Sequence, residues 1–218
     1  INYDPVKDFA PISIVGTNAF ALGCNIEKTP VKSLRELVDY AKARPGQLNY
    51  GSPGSGSVGH LTMALFLTRA NLKMEAVLYK GGGPAMADLV AGVVNCYFGN
   101  YNELLPHAGG GRVRILATSG EKRARQLPDV PTVMESGVPG YEAYVWMGLL
   151  APKGTPPPLI ERLYRVIIPV LASPEVKTYM AGAGIEIVGS TPAEFGQFFR
   201  AEKDLWAKVI RETGAKID

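Results

Sequence analysis

No uninterrupted apolar run in this 218-residue chain approaches the roughly 18 residues that a membrane-spanning helix requires, so no stretch reads as a transmembrane helix. Charge of one sign is also scarce. The formal net charge is +3, the charges are scattered, and the densest cluster, 121-EKRAR-125, is too short for a nucleic-acid footprint. No nucleic acid is therefore expected as a partner. Two cysteines, Cys24 and Cys96, stand too far apart to suggest a zinc site. They read as two buried free thiols, which neither require nor exclude an oxidising compartment. Low-complexity tracts are absent, and no signal peptide is recognisable: 1-INYDPVKDFAPISIVG-16 reads like the interior of a protein.

What is present is ordinary globular material, 46% hydrophobic and 20% charged, with 25 glycines and 17 prolines that predict many loops. The length suits one large domain or two small ones. Residues 12-ISIVGTNAFALGCNI-26 predict a long apolar strand. Ser33-Leu-Arg-Glu36 predicts a capping box opening a helix that Arg44-Pro45-Gly46 ends. A strand at 48–52 enters a glycine loop, and a helix follows over 58–70. Strand 74–80 runs into 81-GGG-83 and the helix PAMADLVAGV, and strands at 94–100 and 113–120 flank a short helix near 101–107. Repetition of β-loop-α at this spacing predicts an α/β fold with a parallel sheet flanked by helices, whose ligands sit at the C-terminal ends of the strands. A turn-rich link, 126–144, leads to a second long apolar strand at 144–152. Helices at 159–172, after Ser173-Pro174, and from the box Thr191-Pro192-Ala-Glu194 to Thr213 follow, with a short strand at 185–189 between the last two.

The glycine loop, 49-NYGSPGSGSVGHL-61, contains Gly54-Ser-Gly56-Ser-Val-Gly59, a literal G-x-G-x-x-G between strand and helix. A dinucleotide site also needs an acid at the far end of the next strand, ~20 residues on. Glu75 has the spacing but stands at the start of its strand, on the edge opposite the loop. A P-loop fails because Ser57-Val58 follow where Lys-Ser/Thr is required. The loop suits a carboxylate: glycines let backbone N–H groups converge, a helix N-terminus adds partial positive charge, and Ser52, Ser55 and Ser57 add hydroxyls. A plain strand-to-helix connector is the alternative, weakened by the second glycine exit, 79-YKGGG-83.

At this point a resemblance appears. The segments 49-NYGSPGSGSVGHL-61, 78-LYKGGGPAMADLVAG-92, 97-YFGNYNELLPH-107, 127-LPDVPTVMESGVPGYE-142 and 145-VWMGLLAPKGTP-156 resemble the Bug (TctC-like) extracytoplasmic solute receptors. The opening YDPVKDFAPIS and the closing SPEVKTYMAGAGIEIVGSTPAEF are similar as well, so the likeness covers essentially the whole chain. It implies a type II periplasmic-binding-protein fold, two α/β lobes joined by two crossover strands that close over a small organic anion. Residues 25–143 would form one complete lobe with the glycine-loop site. Residues 1–24 and 144–218 would supply the crossovers and the remainder of the other lobe. The resemblance also implies a periplasmic location, no cofactor, a carboxylate or dicarboxylate ligand, and the membrane permease subunits of a tripartite tricarboxylate transporter as partner. Two departures stand out. The family's leader, first strand and first glycine loop do not precede Ile1, so an N-terminally truncated first lobe and self-association through its opened surface are expected. At 98-FGN-100, where the family reads Phe-Asp-Asn, Gly99 removes a carboxylate near the site.

The candidate ligand-binding residues are Ser52, Gly54, Ser55, Gly56, Ser57, Tyr79, Lys80, Gly81, Asn100 and Trp146. Ser52 and Ser57 read as ligand donors or local caps, Tyr79 as a ligand-facing ring or packing, and Lys80 as a clamp or a solvated charge. Trp146 reads as core or as a cleft wall. His60 reads as a packing residue at a helix start, His107 as a surface residue, and Asp129 and Glu135 as structural. The strand exits offer Ser, Gly, Tyr, Lys and Asn, with no nucleophile–base pair, acid pair or metal cluster, so no catalytic or metal-ligating residue is assigned. An enzyme using the glycine loops as a phosphate or anion site, or a receptor presented to a membrane sensor, are the alternatives.

Overall fold

The computed structural model describes residues 3–214; residues 1–2 and 215–218, at the ends of the expected ranges 1–24 and 144–218, lie outside them. The chain divides into two units, Ala19–Tyr144 with Lys208–Asp218, and Ile1–Asn18 with Val145–Ala207. Strands β1 (Phe9–Asn25) and β6 (Tyr144–Pro152), which pair with each other, and helix α7 (Pro192–Thr213) each contribute residues to both units.

The larger unit carries α1 (Leu34–Lys42), β2 (Asn49–Ser52), α2 (Val58–Ala70), β3 (Glu75–Leu78), α3 (Gly82–Val90), β4 (Cys96–Asn100), α4 (Tyr101–Gly109) and β5 (Val113–Thr118). Its strand order is β3-β2-β4-β1-β5. Strand β2 is parallel to β3 and β4, whereas β1 runs antiparallel to β4 and β5. The period-2 alternation of β4 explains the layering. Phe98 faces Phe66 of α2 and the buried Tyr141, while Tyr97 faces the cluster of Ala85, Met86, Leu89 and Leu104 from α3 and α4. Helices therefore cover both faces of a sheet that is mixed. Strand β1, running against β4 and β5, departs from the parallel sheet expected from the β-loop-α repeats, because it is the long strand shared with the other unit and not part of a β-loop-α repeat.

Register decides the cysteines. Cys24 lies directly opposite Cys96 across the β1–β4 pair, and the two form a disulfide. The two free thiols expected from sequence are thus corrected, because a separation of 72 residues carries no information about strand pairing. Ser119 fixes the points where both long strands leave this unit: its Oγ accepts from Phe20 N (2.8 Å) and donates to Ala143 O (2.6 Å).

The smaller unit contains the first half of β1, most of β6, α5 (Pro157–Leu171), α6 (Pro174–Gly182), β7 (Glu186–Ile187) and most of α7. Strand β7 pairs antiparallel with β1 at Gly16 and Thr17. Ile12, Ala151 and Ile160 form one core, and Trp146 anchors another against Phe195, Phe198 and Phe199. The Thr191 box closes as expected: Glu194 N donates to Thr191 Oγ1 (3.3 Å) while Thr191 N donates to Glu194 Oε2 (2.8 Å). At α1 the box is one residue wider, because Glu36 Oε2 accepts from Lys32 N (2.8 Å) instead of from Ser33 N.

Candidate functional site

Strands β2 and β3 are in register from Asn49↔Glu75 to Ser52↔Leu78, so their C-terminal ends finish level and Glu75 stands at the opposite end. The glycine loop leaves one strand and 79-YKGGG-83 leaves the other, and the two exits are stitched together. Tyr79 N donates to Ser52 O (2.9 Å) and Gly81 N donates to Pro53 O (2.9 Å). Helices α2 and α3 start directly after these exits, which sets two helix N-termini side by side.

Glycine is required where the chain turns: Gly54, Gly56 and Gly81 have φ of +149°, +68° and +115°. Inside the loop, bonds converge on the Gly54 carbonyl, which accepts from Ser52 Oγ (3.1 Å), Ser57 Oγ (2.8 Å) and Ser57 N (3.3 Å). Ser57 is the N-cap of α2, its Oγ accepting from His60 N (3.2 Å), and the His60 ring accepts from Gly56 N at Nδ1 (3.1 Å). Both serine hydroxyls therefore hold the loop's own shape. First-turn N–H groups have no intrahelical acceptor. Those of Gly82 and Gly83 in α3 meet no capping side chain at Gly81, and Pro84 has none to offer. The pair of helix starts presents main-chain donors with partial positive charge, a combination that suits an anionic oxygen.

The remaining candidates separate. Tyr79 turns onto α3, its hydroxyl donating to Asp88 Oδ2 (2.6 Å); burial and that bond push its phenol up to about 12. Lys80 is exposed within the second exit. Ser55 is half-buried in the loop. Asn100 is the N-cap of α4 and its Nδ2 donates to Glu103 Oε1 (3.4 Å). Trp146 belongs to the smaller unit, where its Nε1 donates to Glu202 Oε2 (3.1 Å), an oxygen shared with Trp206 Nε1 (2.9 Å). Glu135 accepts from Thr132 N (2.7 Å) and pairs with Arg123, which holds its carboxyl below the ordinary range and gives it a structural role.

A cavity of about 440 Å³ opens at the start of α3, lined by Gly82, Gly83, Met86, Ala87, Glu103 and His107. A larger one of about 790 Å³ lies at the C-terminal end of α2, away from the glycine loop. The volume is greater there, but the converging donors are at the strand exits.

The structure also accounts for Gly99. A Cβ at this position would overlap the Tyr97 ring at its Cε1 edge, 2.6 Å from Cζ and 2.9 Å from Cδ1. That ring is buried, and its hydroxyl donates to Glu103 Oε2 (3.3 Å). Burial, then Glu103, pushes the phenol well above its ordinary range. The aromatic two residues upstream thus fills the space a carboxylate-bearing side chain would need. Sequence reasoning missed this pairing and the tie from His60 to Gly56. The one available signal for the tie was that His60 sits three residues after a capping serine.

Comparison with known proteins follows the same lines. The family described as "Tripartite tricarboxylate transporter family receptor" matches residues 1–215. Protein BugT of Bordetella pertussis is 38% identical over 217 residues, which is 100% of this chain and 66% of BugT. A protein from the tcbD-tcbE intergenic region of a Pseudomonas strain is 34% identical over 213 residues, 97% of this chain and 63% of its own length. The chain thus spans just under two thirds of the length of these relatives. Among solved structures, R. palustris Rpa4515 with adipate superposes with a TM-score of 0.83 at 34% identity, over 98% of this chain and 71% of that one. MatC (Rpa3494) from Rhodopseudomonas palustris with bound malate gives 0.80 at 28% identity, over 96% and 72%. The fold is the α/β fold of these periplasmic binding proteins.

Proposed function

The chain belongs to the tripartite tricarboxylate transporter receptor family, and on that premise we propose that it is a periplasmic receptor that captures a small organic acid for a membrane permease of the tripartite type. The observation that carries this reading is the stitched pair of glycine exits, where two helix starts present main-chain N–H groups at one end of the sheet. One carboxylate of the ligand is received there. Gly54, Gly56 and Gly81 permit its close approach, Ser52, Ser55 and Ser57 shape the loop around it, and Lys80 and Asn100 flank it. Tyr79 supports the loop from behind through Asp88, and Trp146 stiffens the unit that carries β6. Adipate in Rpa4515 and malate in MatC are both dicarboxylates, which makes a short diacid the first ligand to test. The Cys24–Cys96 disulfide fits an oxidising compartment outside the cytoplasm.

Family members are receptors, and the exits combine amides, hydroxyls and one lysine without a paired nucleophile and base, so the site is built for holding. Self-association is proposed as well, through the exposed stripe Leu159, Leu163, Val166 and Val170 of α5. Calorimetry of the full-length protein with malate, adipate and citrate, with NMR of the same mixtures, tests the main reading. Saturable binding with every acid recovered intact is expected. Conversion of any acid to a product, or no binding across the set, would overturn it.

A further inference from the structure

His60 occupies the third helical position of α2, where a capping box places Glu or Gln. The chain contains its own comparison. At α1 the capping serine is Ser33 and the third residue is Glu36, whose Oε2 reaches back to the N–H of Lys32, the residue before the cap. At α2 the capping serine is Ser57 and the third residue is His60, whose Nδ1 reaches back to the N–H of Gly56, again the residue before the cap. The two helix starts share one bonding pattern, but at the ligand-side loop the acceptor is an imidazole.

We propose that His60 is a positioning residue for the carboxylate loop: its neutral ring holds Gly56 in the left-handed turn, and protonation of the ring releases the loop and weakens ligand capture. The inference rests on the receptor reading above. A neutral imidazole has one donor and one acceptor nitrogen, so accepting from Gly56 N–H fixes the proton on Nε2. Protonation makes Nδ1 a donor as well, and two N–H groups then face each other across 3.1 Å. Gly56 sits at φ +68° with its N–H satisfied by the ring, so losing that acceptor removes a bond that holds the turn.

The surroundings oppose the cation. The ring lies against Tyr50 of β2, with centroids 6.4 Å apart, and lines a cavity of about 360 Å³. Among the described residues lining that cavity, Lys73 is the charged one, and there is no carboxylate to hold an imidazolium. Tyr50 is neutral because burial, and then Glu75, push its phenol up to about 12. The positive end of α2 acts against the cation too. Burial accordingly lowers the His60 pKa from its ordinary 6.5. With a lowered folded value, the clamp is fully present above the ordinary histidine range and is lost as pH falls through the lowered value.

The test uses the full-length protein, ¹⁵N NMR of the His60 ring and Gly56 amide, and calorimetry with malate and adipate from pH 8 to pH 4.5. Wild type should show the Nε2–H tautomer at neutral pH. Its Gly56 amide should lose protection along a titration centred below 6.5, and acid affinity should fall roughly tenfold or more over the same titration. H60Q supplies a neutral acceptor at the position Glu36 uses in α1, so it should keep Gly56 protected and remove that component of the pH dependence. H60L should expose Gly56 at every pH and bind the acid weakly throughout. Gly56 protection indifferent to pH and to H60L, or H60Q retaining the wild-type pH profile, would overturn the proposal. Affinity that does not follow Gly56 protection would also overturn it. If the amide behaves as described but no variant binds any organic acid, the clamp stands and the receptor reading fails.

Discussion

Replacing Gly99 by alanine adds a single methyl group at a place already filled. That Cβ would lie 2.6 Å from Tyr97 Cζ and 2.9 Å from Cδ1, well inside van der Waals contact. The ring cannot swing away freely: it is 2% exposed, packs among Ala85, Met86, Leu89 and Leu104, and is tied by its hydroxyl to Glu103. Overpacking of this kind costs ~1–3 kcal/mol. Tyr97→Ala alone should cost ~3–5 kcal/mol, as deletion of a buried ring does. The informative variant is the double one. With the ring gone, the alanine methyl at position 99 meets nothing from Tyr97, so Gly99→Ala should cost close to nothing in the Tyr97→Ala background. The coupling energy should therefore match the cost of Gly99→Ala in wild type, ~1–3 kcal/mol. Equilibrium urea unfolding of the four proteins, followed by far-UV circular dichroism, measures it. Gly99→Ala neutral in wild type, or equally costly in both backgrounds, would refute the reasoning that the glycine exists to admit the ring.

Opening the Cys24–Cys96 bridge, by the double serine variant, releases a loop with a sequence separation of 72. Loop-closure entropy puts the cost at ~4 kcal/mol, visible as a lower urea midpoint that wild type reproduces only under reducing conditions. Glu75→Ala should leave malate and adipate affinity unchanged in calorimetry, because the residue stands at the strand end opposite the glycine loop; a tenfold loss would contradict the placement of the site. The α5 stripe, with Leu163 36% and Val166 60% exposed, should drive association at micromolar concentration in sedimentation velocity. Leu163→Lys with Val166→Lys should then shift the population to monomer, and a wild-type chain that sediments as monomer throughout would remove this proposal.

Much of this molecule was legible from local signals. Alternating β-loop-α patterns placed the strands and helices of the larger unit, because periodicity and capping residues act over a few neighbours. The caps at Ser33, Ser57, Ser173 and Thr191 mark helix starts by the same short-range chemistry. The glycine loop could be separated from a dinucleotide site by asking at which end of its strand Glu75 stands, a question that needs only chain direction. Tertiary structure decided the rest. Cys24 and Cys96 meet because β1 runs antiparallel to β4 in one particular register, which no local rule specifies. Gly99 admits the Tyr97 ring because both side-chain positions lie on one face of β4 and α4 brings Glu103 to the hydroxyl. The serine hydroxyls could have faced a ligand or the loop; the fold of the turn sent both to the Gly54 carbonyl. His60 looked like packing because sequence shows a residue's spacing from a cap but not the direction of its ring. Only the folded turn puts Nδ1 on Gly56 N–H and makes the shape of the loop depend on a proton.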